Sequence, residues 1–216
     1  MAIHVPPHRL EFHAMIDNRF RALLPKYVKP ILELLAGLGL SPNQISCIGL
    51  GIAILAALAV ASGYFVWAIA LWWLSRLFDA LDGIYARAYN KTSDFGAFLD
   101  IQLDMLAYCA IVIGLYWQFP EYALQWMIIL LCYVLCISGA LGLGGFEGTR
   151  GIDDSSGRGL KMATGLAEAG ETGIAYTVFL LFPGSIAVTA WIWIVILTVT
   201  IVARLALAKS ELKAPL

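Results

Sequence analysis

Apolar residues run along this chain in long blocks, not in the alternation of a strand or the single stripe of a surface helix. Blocks of about 20 apolar residues are the length at which a helix crosses a bilayer. Six of them are predicted, at roughly 43–62, 65–89, 94–117, 121–143, 161–182 and 185–207. Gly63, Pro120 and Pro183 punctuate three of the connections, as helix breakers do. Before the first block, Ser41-Pro42-Asn43 reads as a helix start, with Ser41 as cap and Pro42 at the first position. Residues 26–40 (KYVKPILELLAGLGL) mix charge and leucine at helical spacing. They predict an amphipathic helix lying in the membrane interface. The predicted fold is therefore all-α and polytopic: six transmembrane helices behind an N-terminal interfacial helix. Three segments follow, an N-terminal stretch 1–42, a six-span unit 43–208 and a tail 209–216. Residues 144–161 (GGFEGTRGIDDSSGRGLK) are expected to form a flexible loop. The charges and prolines of the first forty residues do not fit a cleavable signal peptide.

Composition supports the membrane reading. The chain has 216 residues, 61% hydrophobic and 13% charged, where soluble domains carry about 25% charged residues. Mean hydropathy is +0.81. A net charge of -1 gives no electrostatic case for nucleic acid. Cys47, Cys109, Cys132 and Cys136 lie in apolar stretches, without the histidine partners of a zinc site, and read as small buried hydrophobes. The 14 Lys and Arg fall near the termini and the connections after the second and fourth blocks, with Arg76 and Arg87 inside the second block, and none falls in the other three connections. By the positive-inside rule those parts face the cytoplasm, together with both termini. The seven tryptophans mostly flank the blocks and are expected to form an interfacial belt.

Ionisable side chains inside spans are functional candidates by default, and here they cluster. Asp79 and Asp82 are three apart on the second block, with Gly83, Ala86 and Arg87 continuing the same stripe. Gly96, Asp100 and Asp104 recur every four residues on the third. The short link predicts two adjacent antiparallel helices whose carboxylates meet near the cytoplasmic surface. Four converging carboxylates repel one another and call for cations between them. All-oxygen ligation selects a hard ion such as Mg2+, Mn2+ or Ca2+. Two such ions bridging phosphate oxygens suit phosphoryl transfer, with Arg87 available for a phosphate. A cation or proton path in a transporter also uses buried carboxylates, and a structural Asp–Arg network is a third reading.

The pattern Asp79-x2-Asp82-Gly83-x2-Ala86-Arg87-x8-Gly96-x3-Asp100-x3-Asp104 resembles, at all eight positions, the signature of the CDP-alcohol phosphatidyltransferase family. Six spans, cytoplasmic termini, an interfacial helix and the Pro42-Asn43 helix start look like that family too. The resemblance implies a bacterial inner-membrane transferase that moves a phosphatidyl group from CDP-diacylglycerol to a small hydroxyl acceptor (polyol, amino-alcohol or glycerol phosphate) and releases CMP. Transfer from a CDP-alcohol to diacylglycerol is the alternative within the same chemistry. It implies that Asp79, Asp82 and Asp100 bind two Mg2+ or Mn2+ ions, Asp79 and Asp100 bridging them. Asp104 would ligate the second ion and act as general base. Pro42, Asn43, Asp79, Gly83, Ala86, Arg87, Ser93 and Gly96 would hold the CDP part of the donor. A homodimer is expected from the resemblance alone.

Two departures bear on the acceptor. Met105 stands where members using CDP-diacylglycerol often carry a basic residue, and no clear basic pocket for a phosphorylated acceptor is visible. Arg158 and Lys161 could supply such a pocket, as could Arg150. Glu168 and Glu171, three apart at the start of the fifth block, suit a polyol or amino-alcohol better than a phosphate. Acids at a helix N-terminus are also favoured by its dipole. The segments LDIQLDMLAY and 165–182 look like a small bacterial branch of the family with unassigned acceptor, and ARAYNKTSDFGAFLD is similar to phosphatidylinositol synthases.

Overall fold

The computed structural model describes residues 28–149 and 169–211. Among these residues there is no strand. A helix over 28–37 (α1) is followed by α2 (Pro42–Ala61), α3 (Phe65–Ala88), α4 (Asp94–Gln118), α5 (Ala123–Thr149), α6 (Ala169–Leu181) and α7 (Ile186–Glu211). One-turn 3-10 helices at Pro120–Tyr122 and Pro183–Ser185 make two of the connections.

Local chemistry sets the helix starts. Ser41 and Gln44 form a reciprocal capping box with Pro42 in the first turn of α2, which satisfies two otherwise orphaned backbone donors. Ser93 caps α4 by accepting from the Gly96 N–H at 3.0 Å. Asn90, in the link before it, takes a positive φ of 52°, a conformation that asparagine tolerates better than most residues.

The expectation of six transmembrane helices is not supported. Among the described residues four helical stretches are long and apolar enough to cross a membrane, Pro42–Ala61, Asp94–Gln118, Pro120–Phe146 and Pro183–Ser210. The helix α3 has the length, but Arg76, Asp79, Asp82 and Arg87 break its apolar run. The described part of α6 has 13 residues, about 20 Å at 1.5 Å per residue, against a hydrocarbon core of about 30 Å. The all-α membrane class stands, and the chain is an integral membrane protein. Apolar side chains cover its outer faces, Leu58, Val66, Ile113, Val134, Val188 and Val202 among them.

The helix α2 is the wedge of the fold and packs against both α3 and α4. Two glycines permit this. A Cβ on Gly114 of α4 would lie 2.5 Å from the Ala57 carbonyl oxygen, and one on Gly49 of α2 would lie 3.3 Å from Phe78 Cβ. The helices α3 and α4 approach each other less closely than either approaches α2. Their expected direct packing is thus replaced by a gap bridged by long polar side chains.

The other helices are tied by a buried polar chain. Trp193 of α7 donates to Tyr133 Oη of α5 at 3.2 Å, Tyr133 and Tyr176 hydroxyls are 2.9 Å apart, and Tyr176 of α6 donates to the Tyr108 carbonyl of α4 at 3.0 Å. Polar side chains buried in this way are paired because an unpaired one is costly. Trp72, Trp126 and Trp193 belong to the core, not to a belt, while Trp67, Trp73, Trp117 and Trp191 are exposed. Of the cysteines, Cys132 is buried and Cys47 exposed. The expected loop at 144–161 begins later than its glycines suggest, since α5 runs on to Thr149.

The helix α1 buries Leu32 and Leu35 against Ile45, Leu81 and Tyr85. Its other side exposes Ile31 and Leu34 beside a Lys29–Glu33 pair, and Leu38 just after it is exposed too. Tyr85 Oη donates to the Leu40 carbonyl at 3.0 Å and fastens the α1–α2 turn to α3. This places α1 against the same end of the bundle as the polar stripes of α3 and α4.

Candidate active site

The four aspartates lie on two helices whose backbones stand apart, and their carboxylates reach into the gap. One carboxylate oxygen each from Asp79, Asp82 and Asp100 lies within 4.8 Å of the other two. Asp82 is 5% exposed, and its Oδ2 is a buried atom with no partner among the described residues. Buried carboxylate oxygens are not left this way without a cation or water to meet them. Three hard oxygen donors at this spacing, one of them orphaned, fit a divalent cation of the Mg2+ or Mn2+ kind.

Asp104, one helical turn further from the α4 N-terminus than Asp100, is not one of those three but its carboxyl lies within hydrogen-bonding reach of Asp79. Its Oδ1 accepts a hydrogen bond from Arg76 Nη1. The same nitrogen is 3.7 Å from Asp79 Oδ2. Arg76 Nη2 donates to Ser75 Oγ at 3.1 Å. The guanidinium lies over the Trp72 ring at 4.7 Å and the Tyr108 ring at 5.2 Å. Sequence reasoning missed this residue. It counted Arg76 only as a basic residue, although Arg76 precedes Asp79 by one helical turn and shares its face, which was the available signal.

The remaining motif residues converge at the capped ends. A Cβ on Gly96 would lie 3.1 Å from Ser93 Oγ and 3.3 Å from Asn43 Oδ1. The first turns of α2 and α4 therefore meet here, and both helix N-termini bring partial positive charge to one place. Gly83 lies under the exposed Arg87, whose Nη1 would be 3.2 Å from a Cβ there. Pro42 is in the first turn of α2 and Ala86 is in the last turns of α3. Glu171 is exposed in the first turn of α6. Glu168, Arg158 and Lys161 lie outside the described residues.

The model of the CDP-alcohol phosphatidyltransferase family matches residues 40–202, which include all eight positions of the motif. The chain belongs to this family. Among relatives of the transferase, an inner membrane protein of Escherichia coli strain K12, YnjF, is 29% identical over 172 residues, covering 78% of this chain and 83% of that protein. The archaetidylinositol phosphate synthase of Pyrococcus horikoshii is 37% identical over 94 residues, 42% of this chain and 50% of that protein. A solved structure of the phosphatidylinositol phosphate synthase of Mycobacterium tuberculosis, with CDP-DAG bound, has a TM-score of 0.61. It is 25% identical and covers 84% of this chain and 92% of that one.

Proposed function

We propose that this transferase moves a phosphatidyl group from CDP-diacylglycerol to the hydroxyl of a small alcohol and releases CMP. The observation that carries the reading is the carboxylate triad beside the meeting point of two helix N-termini. The Mycobacterium tuberculosis synthase, which shares the fold, has been crystallised with CDP-DAG and also with manganese and citrate. Asp79, Asp82 and Asp100 would hold the metal, Mg2+ or Mn2+, which when bound would supply positive charge to the diphosphate oxygens of the donor.

This chain's own residues do the rest. Arg87, over Gly83, and the N-terminal turns bearing Pro42, Asn43, Ser93 and Gly96 hold the CDP part of the donor. Ser93 acts there mainly by holding its turn, since its Oγ already accepts from the Gly96 N–H. Asp104 takes the proton of the acceptor hydroxyl. The acceptor oxygen forms a bond to the phosphorus that carries diacylglycerol. The bond from that phosphorus to the CMP oxygen breaks, and CMP leaves with the electron pair.

The catalytic unit spans about residues 43–208, and the segments 1–42 and 209–216 flank it. The site end carries Arg87 and Lys91, so we place it on the cytoplasmic side of a bacterial inner membrane, with α1 in the interface. The acceptor is a small alcohol, a polyol, an amino-alcohol or glycerol phosphate, with Glu171 at the start of α6 favouring the first two, and a homodimer is the expected assembly. The test supplies the purified protein with CDP-diacylglycerol and a panel of alcohols, and separately with CDP-alcohols and diacylglycerol. A lipid product from the first set with one alcohol supports the reading. Product from the second set alone replaces it with the reverse pairing of donor and acceptor.

A further inference from the structure

The polar stripes of α3 and α4 do not end at the aspartates. On α3 the same face continues from Asp82 and Asp79 through Arg76 to Trp72, and on α4 it continues from Asp100 and Asp104 to Tyr108. The three added side chains meet one another. The Arg76 guanidinium lies 4.7 Å from the Trp72 ring and 5.2 Å from the Tyr108 ring, and the two rings are 5.6 Å apart. Trp72 is 1% exposed, Tyr108 7% and the Arg76 side chain 10%. The helix α6 lies against Trp72 at Gly173, where a Cβ would be 3.2 Å from the indole Nε1.

Each of the three carries a buried polar atom without a hydrogen-bond partner among the described residues: Trp72 Nε1, Arg76 Nε and Tyr108 Oη. Tyr108 Oη is close to the guanidinium but does not complete a bond to it. Buried polar groups left unpaired by the chain meet an ordered water or a ligand, because an unmet one is costly. The chemistry of the three narrows what that ligand is. The indole N–H and the guanidinium Nε–H only donate, and the phenol hydroxyl donates or accepts. Their partner must therefore bring accepting oxygens, and an ammonium group brings none. A phosphate does bring them, but Arg76 is already matched by Asp104 and by Asp79 at 3.7 Å, and a phosphate here would face both carboxylates. A neutral hydroxyl meets both conditions. It also suits the position, since Arg76 donates to the Asp104 carboxylate, the group that receives the proton of the reacting hydroxyl.

We propose that Trp72, Arg76 and Tyr108 form the subsite that binds the acceptor, and that they select a neutral polyol by pairing with its non-reacting hydroxyls while another of its hydroxyls lies at Asp104. The inference rests on the proposed transfer from CDP-diacylglycerol and names its acceptor class.

The experiment measures phospholipid formation by the purified full-length protein with CDP-diacylglycerol and Mn2+, titrating in turn glycerol, myo-inositol, the monophosphate of each, and ethanolamine. Wild type is expected to have a higher kcat/KM for one of the polyols than for its monophosphate or for ethanolamine. Tyr108→Phe removes one oxygen, keeps the ring and leaves Arg76 at Asp104. It is expected to raise the KM for that polyol about three- to tenfold, the weight of one neutral hydrogen bond, with the donor KM within about twofold and melting within about 2 °C of wild type. Trp72→Phe is expected to raise the acceptor KM likewise, with lower melting from lost packing; should it not fold, Tyr108→Phe decides alone. A tyrosine with a merely structural role would lower melting and leave the acceptor KM unchanged, and an unchanged acceptor KM in Tyr108→Phe overturns the proposal. Preference of wild type for a monophosphate or for ethanolamine overturns it too. No product with any acceptor overturns the transfer reaction itself, and the subsite with it.

Discussion

Replacing Gly114 with alanine tests how the site is held open. A Cβ at Gly114 would sit 2.5 Å from the Ala57 carbonyl oxygen and 3.2 Å from its carbon. Both are backbone atoms within α2, so no rotamer change relieves the contact. A carbon–oxygen contact needs about 3.3 Å, so α2 and α4 must part locally by roughly 0.8 Å. A gap of about 0.5–1 Å forfeits a quarter to a half of each dispersion well it opens. The atoms affected include those of the buried Ala57, Val60, Ile111 and Leu115 around the crossing. The expected cost is about 1–3 kcal/mol, the usual range for overpacking. At about 2–4 °C per kcal/mol for a chain of this size, thermal unfolding in detergent should fall by roughly 2–12 °C. Gly51→Ala is the matched control. It lies in α2, the partner helix of the crossing, with nothing within 4 Å of its Cβ position, and should gain up to about 1 kcal/mol from helix propensity. Equal melting of the two variants would refute the close crossing of α2 and α4.

Two further outcomes follow from the site. Asp82→Asn keeps the shape but removes charge from the triad, and should lower both Mn2+ affinity and turnover by roughly a hundredfold or more, the scale of lost electrostatic stabilisation; calorimetry and CMP release check it, and unchanged Mn2+ affinity would remove Asp82 from the ligand set. Gly83→Ala places a methyl 3.2 Å from Arg87 Nη1, a mobile side-chain end. It should leave melting nearly unchanged while raising the KM for the CDP-linked donor several-fold, and an unchanged KM would separate Arg87 from the donor.

Much of the fold was legible in the sequence because its signals are local. Ser41-Pro42, Ser93 and the Pro120 and Pro183 turns mark helix ends through capping and ring geometry, and α2, α3 and α4 begin and end within a residue or so of expectation. The carboxylate cluster was legible because spacings of three and four residues put side chains on one face of any helix. What was not legible depends on where helices stand relative to one another. Counting apolar blocks made α3 a span, but the charges that build the site interrupt it. Sequence proximity suggested that α3 and α4 pack directly, whereas Gly49 and Gly114 let α2 come between them. Trp72 looked like a belt residue, yet the site needs its face beneath Arg76. Arg76 itself could be seen only by asking which cation shares a face with Asp79.

The most direct test of the central claim is formation of a new phospholipid from CDP-diacylglycerol and an alcohol by the purified protein, with and without Mn2+, in wild type and Asp104→Asn. The account predicts product and an equal amount of CMP from wild type with metal, none after chelation, and at least a hundredfold less from Asp104→Asn, the scale expected for a lost general base. Product that survives chelation, or an Asp104→Asn variant as active as wild type, would contradict it.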